Sequence, residues 1–242
     1  MYLLYAQLAG SYSDVAVVTF FCASAVWRKE NLMKLEPYQY FALAKDIDDL
    51  INVYQSVNDK QTVNAVQALT TEKINETLPE ESTQKSELLQ FILNPHLTKA
   101  SAERYLNELK EHVTPFVAPS AKQVEKVFRK TKKLRLPAFE TMDLKEHTYI
   151  GWNDPGQQQK FILYYDDKGL QGLNGNFSSN ILKNVCSICH KTSEVALFLA
   201  TTKKGGDGTY TKKGNYICVD SDKCNHQLYD KNQLFDFVTK VK

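Results

Sequence analysis

Apolar residues in the first half of the chain recur at helical spacing. After Pro37 they return every three or four residues as far as Tyr54, which predicts an amphipathic helix with proline in its first turn. Three more helices are predicted, each after a side chain that can cap it: Asp59, Ser82 and Thr98. Short turns between these helices favour an up-and-down four-helix bundle.

Beyond Pro137 the apolar residues alternate with polar ones, as is typical of strands. Strands are predicted over residues 148–152, 160–166, 172–177, 195–200 and 209–217, with the GGDG sequence at 205–208 as the tip before the last. A final helix is predicted from Asp230. The second half is therefore expected to be α+β.

The first 32 residues match neither pattern. Residues 15–27 are uncharged and mostly apolar, but they are fewer than the roughly 20 that a transmembrane helix needs. A secretory signal would carry basic residues before its apolar run, whereas Arg28 and Lys29 follow it. We expect residues 1–32 to be a non-native or disordered extension, with translation starting at Met33, and we expect no membrane association.

Composition and charge separate the two halves. The chain is 43% hydrophobic and has a net charge of +2, enough apolar content for an ordered globular protein. Residues 33–114 carry a net charge of −5 and residues 115–242 one of +7. We expect a helical bundle domain over the first range and an α+β domain over the second, with the boundary near residues 115–119.

A basic stretch follows the boundary. Ser120 and Gln123 have the spacing of a capping box, which predicts a helix with a strongly basic face. Lys130, Lys132 and Lys133 on that face are candidates for contact with RNA or an acidic protein surface. The alternative is a solvated face without a partner.

Four of the five cysteines are clustered. They are Cys186 and Cys189, two residues apart, and Cys218 and Cys224, five residues apart. Two such pairs favour one tetrahedral zinc site in an intracellular protein over disulfides or core thiols. His190 or His226 could replace one cysteine as a ligand. Because four thiolates leave no coordination position for water, one zinc ion is expected to be structural and not hydrolytic.

Catalytic motifs do not account for the chain. It contains no GxSxG, HExxH or P-loop sequence, and the glycines of residues 169–175 do not have the spacing of a dinucleotide-binding loop. These sequence motifs therefore give no indication of a catalytic activity.

Several stretches together resemble the elongation factor G-binding proteins of the FusB-type fusidic acid resistance family. They are YQSVNDKQTV (54–63), VFRKTKKLRLP (127–137), GWND (151–154), CSIC (186–189), GTYTKKGNYIC (208–218) and FDFVTKVK (235–242). The resemblance covers residues 33–242. It implies a helical bundle followed by a treble-clef-like zinc-finger domain, in a cytoplasmic protein of Gram-positive bacteria that we expect to be a monomer.

The resemblance also implies a function. Family members bind elongation factor G through the zinc domain and promote its release from the ribosome, so the resemblance implies a binding protein and not an enzyme. The contact residues carried over are Lys213, Tyr216 and Phe237, and Val185 stands where resistance members have an aromatic residue. Phe235 and Phe237 lie about 200° apart on a helix, so both cannot face the same core. The resemblance implies that Phe237 is the one that faces the partner, and we expect its replacement to leave stability nearly unchanged.

Two other functions stay open on the sequence alone. The basic stretch would suit a zinc-containing nucleic-acid-binding protein. A fibronectin-binding surface protein is the second alternative, because part of the family carries that label. Within the main interpretation, the sequence leaves open whether the native role is drug protection or ribosome recycling.

Overall fold

A computed structural model describes residues 33–78, 80–203 and 210–242. Here the chain forms a helical half followed by a half built on one antiparallel sheet, which confirms the predicted α+β class. The predicted extension (1–32) and the predicted GGDG tip (205–208) lie outside the described residues. Within the described part, no helix is both long and apolar enough to traverse a bilayer.

The helical half contains four helices in the predicted order. They are α1 (Pro37–Ser56), α2 (Lys60–Thr77), α3 (Thr83–Ile92) and α4 (Lys99–Lys110). The three predicted caps are confirmed: Asp59, Ser82 and Thr98 each accept hydrogen bonds from backbone N–H groups in the first turn of the following helix. Each of these helix starts is therefore encoded by a local side chain.

One apolar core joins the four helices. Helix α1 supplies its centre, where Leu43, Ile47 and Leu50 are fully buried. The segment before α1 closes the core, because the fully buried Leu35 accepts a hydrogen bond from the Thr114 backbone N–H (2.8 Å). The start and the end of the helical half are thereby held together.

The second half is built on five strands that are neighbours in chain order. They are β1 (Ile150–Asp154), β2 (Gln159–Asp166), β3 (Gly169–Val185), β4 (Thr192–Lys203) and β5 (Tyr210–Cys218). Helix α5 (Ala121–Val127) and two 3-10 turns (Phe139–Thr141 and Leu144–Glu146) precede the sheet, and α6 (Ser221–His226) and α7 (Lys231–Val241) follow it. Strand β3 is longer than predicted because its first part pairs with β2 and its second with β4.

Both faces of the sheet are covered. In β2, Phe161 and Leu163 belong to a core that includes residues of α5, whereas Ile162 and Tyr164 belong to a second core that includes residues of α7. Successive side chains of a strand point to opposite faces, so a strand buried on both sides reads as an unbroken apolar run.

Polar contacts and one aromatic contact join the two halves. The Lys110 Nζ of α4 donates to Asp143 Oδ2 (2.7 Å) and Glu146 Oε1 (2.6 Å) in the segment before the sheet. The Phe41 ring of α1 packs on the His226 ring of α6, with 4.6 Å between the ring centroids. The hydrogen bond from Lys110 lowers the pKa of Asp143.

Candidate metal centre and adjacent surfaces

Cys186 and Cys189 lie on a tight turn between β3 and β4. The Cys186 N–H donates to the Lys191 carbonyl (3.0 Å), and the His190 N–H donates to the Cys186 carbonyl (2.9 Å). His190 has a φ of 55°, the left-handed conformation that lets the chain reverse here. Both cysteines are thus held on one short, hydrogen-bonded knuckle.

The second pair comes from a strand end and a helix. Cys218 is the last residue of β5 and pairs with Val195 of β4. Cys224 lies in α6, a short helix that begins after Asp220, whose carboxylate accepts from the backbone N–H groups of Asp222 and Lys223. Knuckle, strand end and capped helix therefore converge on one corner of the domain.

The geometry of the four sulfurs fits a tetrahedral metal. All four cysteines are buried, and their Sγ atoms lie within 4.8 Å of one another. The Cys186–Cys224 and Cys189–Cys218 sulfur pairs are each 3.8 Å apart. A tetrahedron with Zn–S bonds of about 2.3 Å places its sulfurs about 3.8 Å apart, whereas a disulfide has an S–S distance of about 2.05 Å. The site therefore suits zinc and does not contain disulfides.

Backbone groups support the thiolate form of one cysteine. The N–H groups of Ile188 and Cys218 each donate to Cys186 Sγ at 3.3 Å. Hydrogen bonds with the other three cysteine side chains hold the pKa of the Cys186 thiol well below its usual range. Because zinc binds thiolates, the two backbone N–H groups favour the form of Cys186 that binds the metal.

Neither candidate histidine joins the cluster. The group of potential ligands formed by the described residues contains the four cysteines alone. His190 is exposed on the knuckle, and His226 Nε2 is hydrogen-bonded to Glu146 Oε2 (2.9 Å). The histidines are therefore not ligands in this structure.

Two polar residues that sequence patterns do not mark lie beside the centre. Asn225 is fully buried; its Oδ1 accepts from the Thr148 N–H (2.8 Å), and its Nδ2 donates to the Tyr149 carbonyl (3.0 Å). It joins α6 to the segment that enters β1. Lys160 of β2 is 1% exposed. Both make contacts distant in sequence, which no local motif reveals.

Three of the four predicted partner-contact residues line one surface pocket of about 480 Å³. Val185, Lys213 and Phe237 lie there together with Lys240 of α7. Val185 is 52% exposed, although the next residue, Cys186, is fully buried. Tyr216 is half-buried, does not line the pocket, and packs against the core that contains the cysteines.

The expected orientation of Phe237 is wrong. Its side chain is 2% exposed, and its ring centroid lies 5.9 Å from that of Phe198. Phe235 is the half-buried residue of the two. Helical periodicity places the two rings on different sides of α7 without showing which side meets the sheet. Phe237 forms the floor of the pocket from within the core.

The basic stretch is also placed differently from the prediction. Helix α5 ends at Val127, so Lys130, Lys132 and Lys133 lie in the loop beyond it and not on a helix face. All three are exposed, and the salt bridges found among residues 33–78, 80–203 and 210–242 include none of them. Lys130 and Lys132 line a polar pocket with Arg129, Gln157, Gln159 and Asn174.

Comparison with known proteins gives two family matches. The family described as "Elongation factor G-binding protein, N-terminal" matches residues 34–117, and the one described as "FBP C-terminal treble-clef zinc-finger" matches residues 121–239. Among solved structures, that of the fusidic acid resistance protein FusC is similar, with 39% sequence identity and a TM-score of 0.81. The match covers 88% of this chain and 100% of the FusC chain. No curated protein matches the chain.

The family match over residues 121–239 and the four-cysteine group together identify a treble-clef zinc-finger domain, as predicted. This domain follows the helical half of the chain. The chain belongs to the family of elongation factor G-binding proteins.

Proposed function

We propose that the protein binds elongation factor G and promotes its release from the ribosome, in fusidic acid protection or in ribosome recycling. The observation that carries the proposal is the likeness to the resistance protein FusC, at 39% identity over the whole FusC chain. The N-terminal family match points to the same partner. This role requires binding and no bond cleavage.

The contact surface in this proposal is the pocket beside the zinc knuckle. Val185 offers an exposed apolar side chain, and the ammonium groups of Lys213 and Lys240 flank it. A Cβ at Gly214 would lie 1.7 Å from the Phe198 carbonyl oxygen, so only glycine fits this close strand pair. The surface suits a partner segment that combines apolar and acidic side chains.

In this proposal, Tyr216 helps to order the contact surface through its hydrogen bond to the knuckle. Its carbonyl accepts from the Ser187 N–H (2.9 Å), a hydrogen bond that links the knuckle to β5. A surface ordered before binding loses little entropy when it docks. Phe237 is a buried core residue that lines the pocket and supports its shape.

Release of a ribosome-bound factor requires differential affinity. A partner shifts an equilibrium only as far as it binds one state better than the other. The protein must therefore prefer a conformation of elongation factor G that holds the ribosome weakly.

The proposal includes one structural zinc ion per chain. The residues that would hold it are Cys186, Cys189, Cys218 and Cys224. Four thiolates occupy every position of tetrahedral zinc, so the ion would supply rigidity and no bound water for hydrolysis. We assign the protein to the cytoplasm, where its partner works, and to a monomeric state.

The proposal is tested on ribosomes stalled with elongation factor G and fusidic acid. Added protein is expected to increase the rate at which the factor leaves the ribosome, measured by pelleting the ribosomes over time. Lys213→Ala should reduce this effect at least several-fold, whereas Lys168→Ala, an exposed lysine on the β2–β3 turn, should not. No release by the unaltered protein would contradict the proposal.

A second candidate function, an RNA contact, rests on the basic loop. Lys130, Lys132 and Arg129 surround a polar pocket with three side-chain amides, groups that can bind phosphate and sugar oxygens. Lys133 is exposed in the same loop. Its φ of 54° is in the left-handed region, as is found at turns of the chain. On a protein that acts at the ribosome, the polyanion within reach would be ribosomal RNA.

Salt dependence tests the RNA contact. Replacing Lys130, Lys132 and Lys133 with Gln should weaken ribosome association and reduce its slope against log salt by up to about one for each phosphate that the variant no longer binds. The matched control replaces three exposed lysines of the helical half, Lys34, Lys60 and Lys99. An unchanged slope in the loop variant would favour a solvated surface.

A further inference from the structure

Lys160 is buried close to the metal centre. Its Nζ donates to Asn153 Oδ1 (2.9 Å) and to the Val219 carbonyl (3.0 Å), and it lies 5.0 Å from the centroid of the Phe177 ring. Removal of an ammonium group from water costs several kcal/mol in a protein interior, so a buried lysine needs a compensating negative charge. Both of its hydrogen-bond acceptors are neutral.

A carboxylate in direct contact with Lys160 does not supply that charge. The ion pairs formed within the described part of the chain do not include Lys160. Lys85 of the helical half makes the contrast clear: it is 2% exposed, and its Nζ lies 2.8 Å from Glu81 Oε1. Lys85 thus forms an ion pair with a carboxylate, whereas the charge of Asp220 acts on Lys160 without forming one.

The metal centre is a source of negative charge near Lys160. Four thiolates and one Zn²⁺ leave a net charge of −2. Burial lowers the pKa of Lys160 to about 8, and the charges of Cys224, Cys218, Asp220 and Cys186 act against that lowering. The hydrogen bond from Lys160 Nζ to the Val219 carbonyl places the ammonium group one residue along the chain from the ligand Cys218.

Lys160 is also connected to the ligands through the backbone. Val219 directly follows the ligand Cys218, and its carbonyl accepts from Asn153 Nδ2 (3.0 Å) as well as from Lys160. Strands β1 and β2 therefore hold the chain immediately after β5, where it turns towards α6.

We propose that Lys160 is the internal counter-cation of the zinc centre. Its positive charge offsets the negative charge of the metal-bound thiolates, and its hydrogen bond to Val219 orients Cys218. Groups beyond the direct ligands typically change metal affinity 10- to 100-fold. The inference rests on the four-cysteine site and not on the proposed binding of elongation factor G.

Zinc retention by two neutral variants of the full chain tests the inference. Lys160→Met removes the charge and the hydrogen bonds, whereas Lys160→Gln removes the charge and keeps a donor. Competition with a chromogenic chelator is expected to show about 10- to 100-fold weaker zinc affinity for both. The matched control is Lys85→Met, which removes a buried lysine far from the zinc site and should leave zinc affinity unchanged.

Three outcomes would overturn the inference. They are unchanged zinc affinity in Lys160→Met, unchanged affinity in Lys160→Gln, and an equal loss in Lys85→Met. Should the Lys160 variants not fold, the unaltered zinc-loaded protein supplies a direct measurement. The ¹⁵N chemical shift of Lys160 Nζ at pH 7 is expected to be that of an ammonium group, and the shift of a neutral amine would contradict the inference.

Discussion

The helical half and the zinc-finger half are stabilised in different ways. Aliphatic side chains such as Leu43 and Ile47 fill the centre of the helical core, so burial of apolar surface is sufficient there. In the other half, the core around Phe198 and Phe237 ends at a corner formed by four cysteines. Without a metal, no covalent bond joins these four sulfurs. Stability should therefore depend on zinc in one half only.

Removal of zinc is expected to have the largest effect and is the strongest test of this contrast. Binding of a structural zinc contributes on the order of 10 kcal/mol to folding in small zinc domains. A chelator should therefore abolish hydrogen-exchange protection in β5 and α6, while amides of α1 keep theirs. Uniform loss of protection in both halves, or no loss at all, would show that the contrast is wrong.

Replacement of Phe237 with Ala should have the next largest effect. Removing a fully buried phenylalanine typically costs about 3–5 kcal/mol, and Phe237 is 2% exposed. Urea unfolding of the zinc-loaded protein measures this loss. Val185→Ala serves as the control, since Val185 is 52% exposed and should change the free energy of unfolding by less than about 1 kcal/mol. A loss below that value for Phe237→Ala would mean that its ring is not part of the core.

A smaller effect is expected where the two halves meet. Lys110→Met removes the hydrogen bonds to Asp143 and Glu146. The Asp143 side chain is 50% exposed, so solvent screening limits the loss of stability to at most about 1 kcal/mol. Thermal melting of the variant and the unaltered protein measures the difference.

The pH dependence of that contact has a definite sign. The hydrogen bond from Lys110 lowers the pKa of Asp143 in the folded protein. Its contribution is therefore present above the unfolded pKa and is lost as the pH falls through the lowered value. The difference between Lys110→Met and the unaltered protein should shrink in acid. A difference that stays constant down to acidic pH would rule out this ion pair as its cause.

The sequence could predict whatever depends on local chemistry. Asp59, Ser82 and Thr98 cap helices through their own side chains, and the spacing of the cysteines already indicates two ligand pairs. Features that depend on tertiary packing could not be predicted. The period of α7 separates Phe235 from Phe237 but does not identify the buried one, and the contact of Lys160 with Val219 joins residues far apart in sequence.

The end of α5 illustrates a further limit. The spacing of the basic residues predicts a basic helix face, but α5 ends at Val127. Its C-terminal cap, Phe128, is buried against the sheet. A Cβ at Gly172 would lie 2.6 Å from the Phe128 ring, so the ring occupies the space that this glycine leaves on β3. Close packing, which composition does not show, thus places the basic residues in a loop.

Titration of purified elongation factor G with the full, zinc-loaded chain tests the central claim most directly. Isothermal calorimetry is expected to show saturable one-to-one binding. The double variant Val185→Ser, Lys213→Ala should bind at least about 30-fold more weakly, equivalent to roughly 2 kcal/mol at an interface centre, while its zinc content and melting temperature stay unchanged. No binding by the unaltered protein, or equal binding by the double variant, would contradict the proposed partner or the proposed surface, respectively.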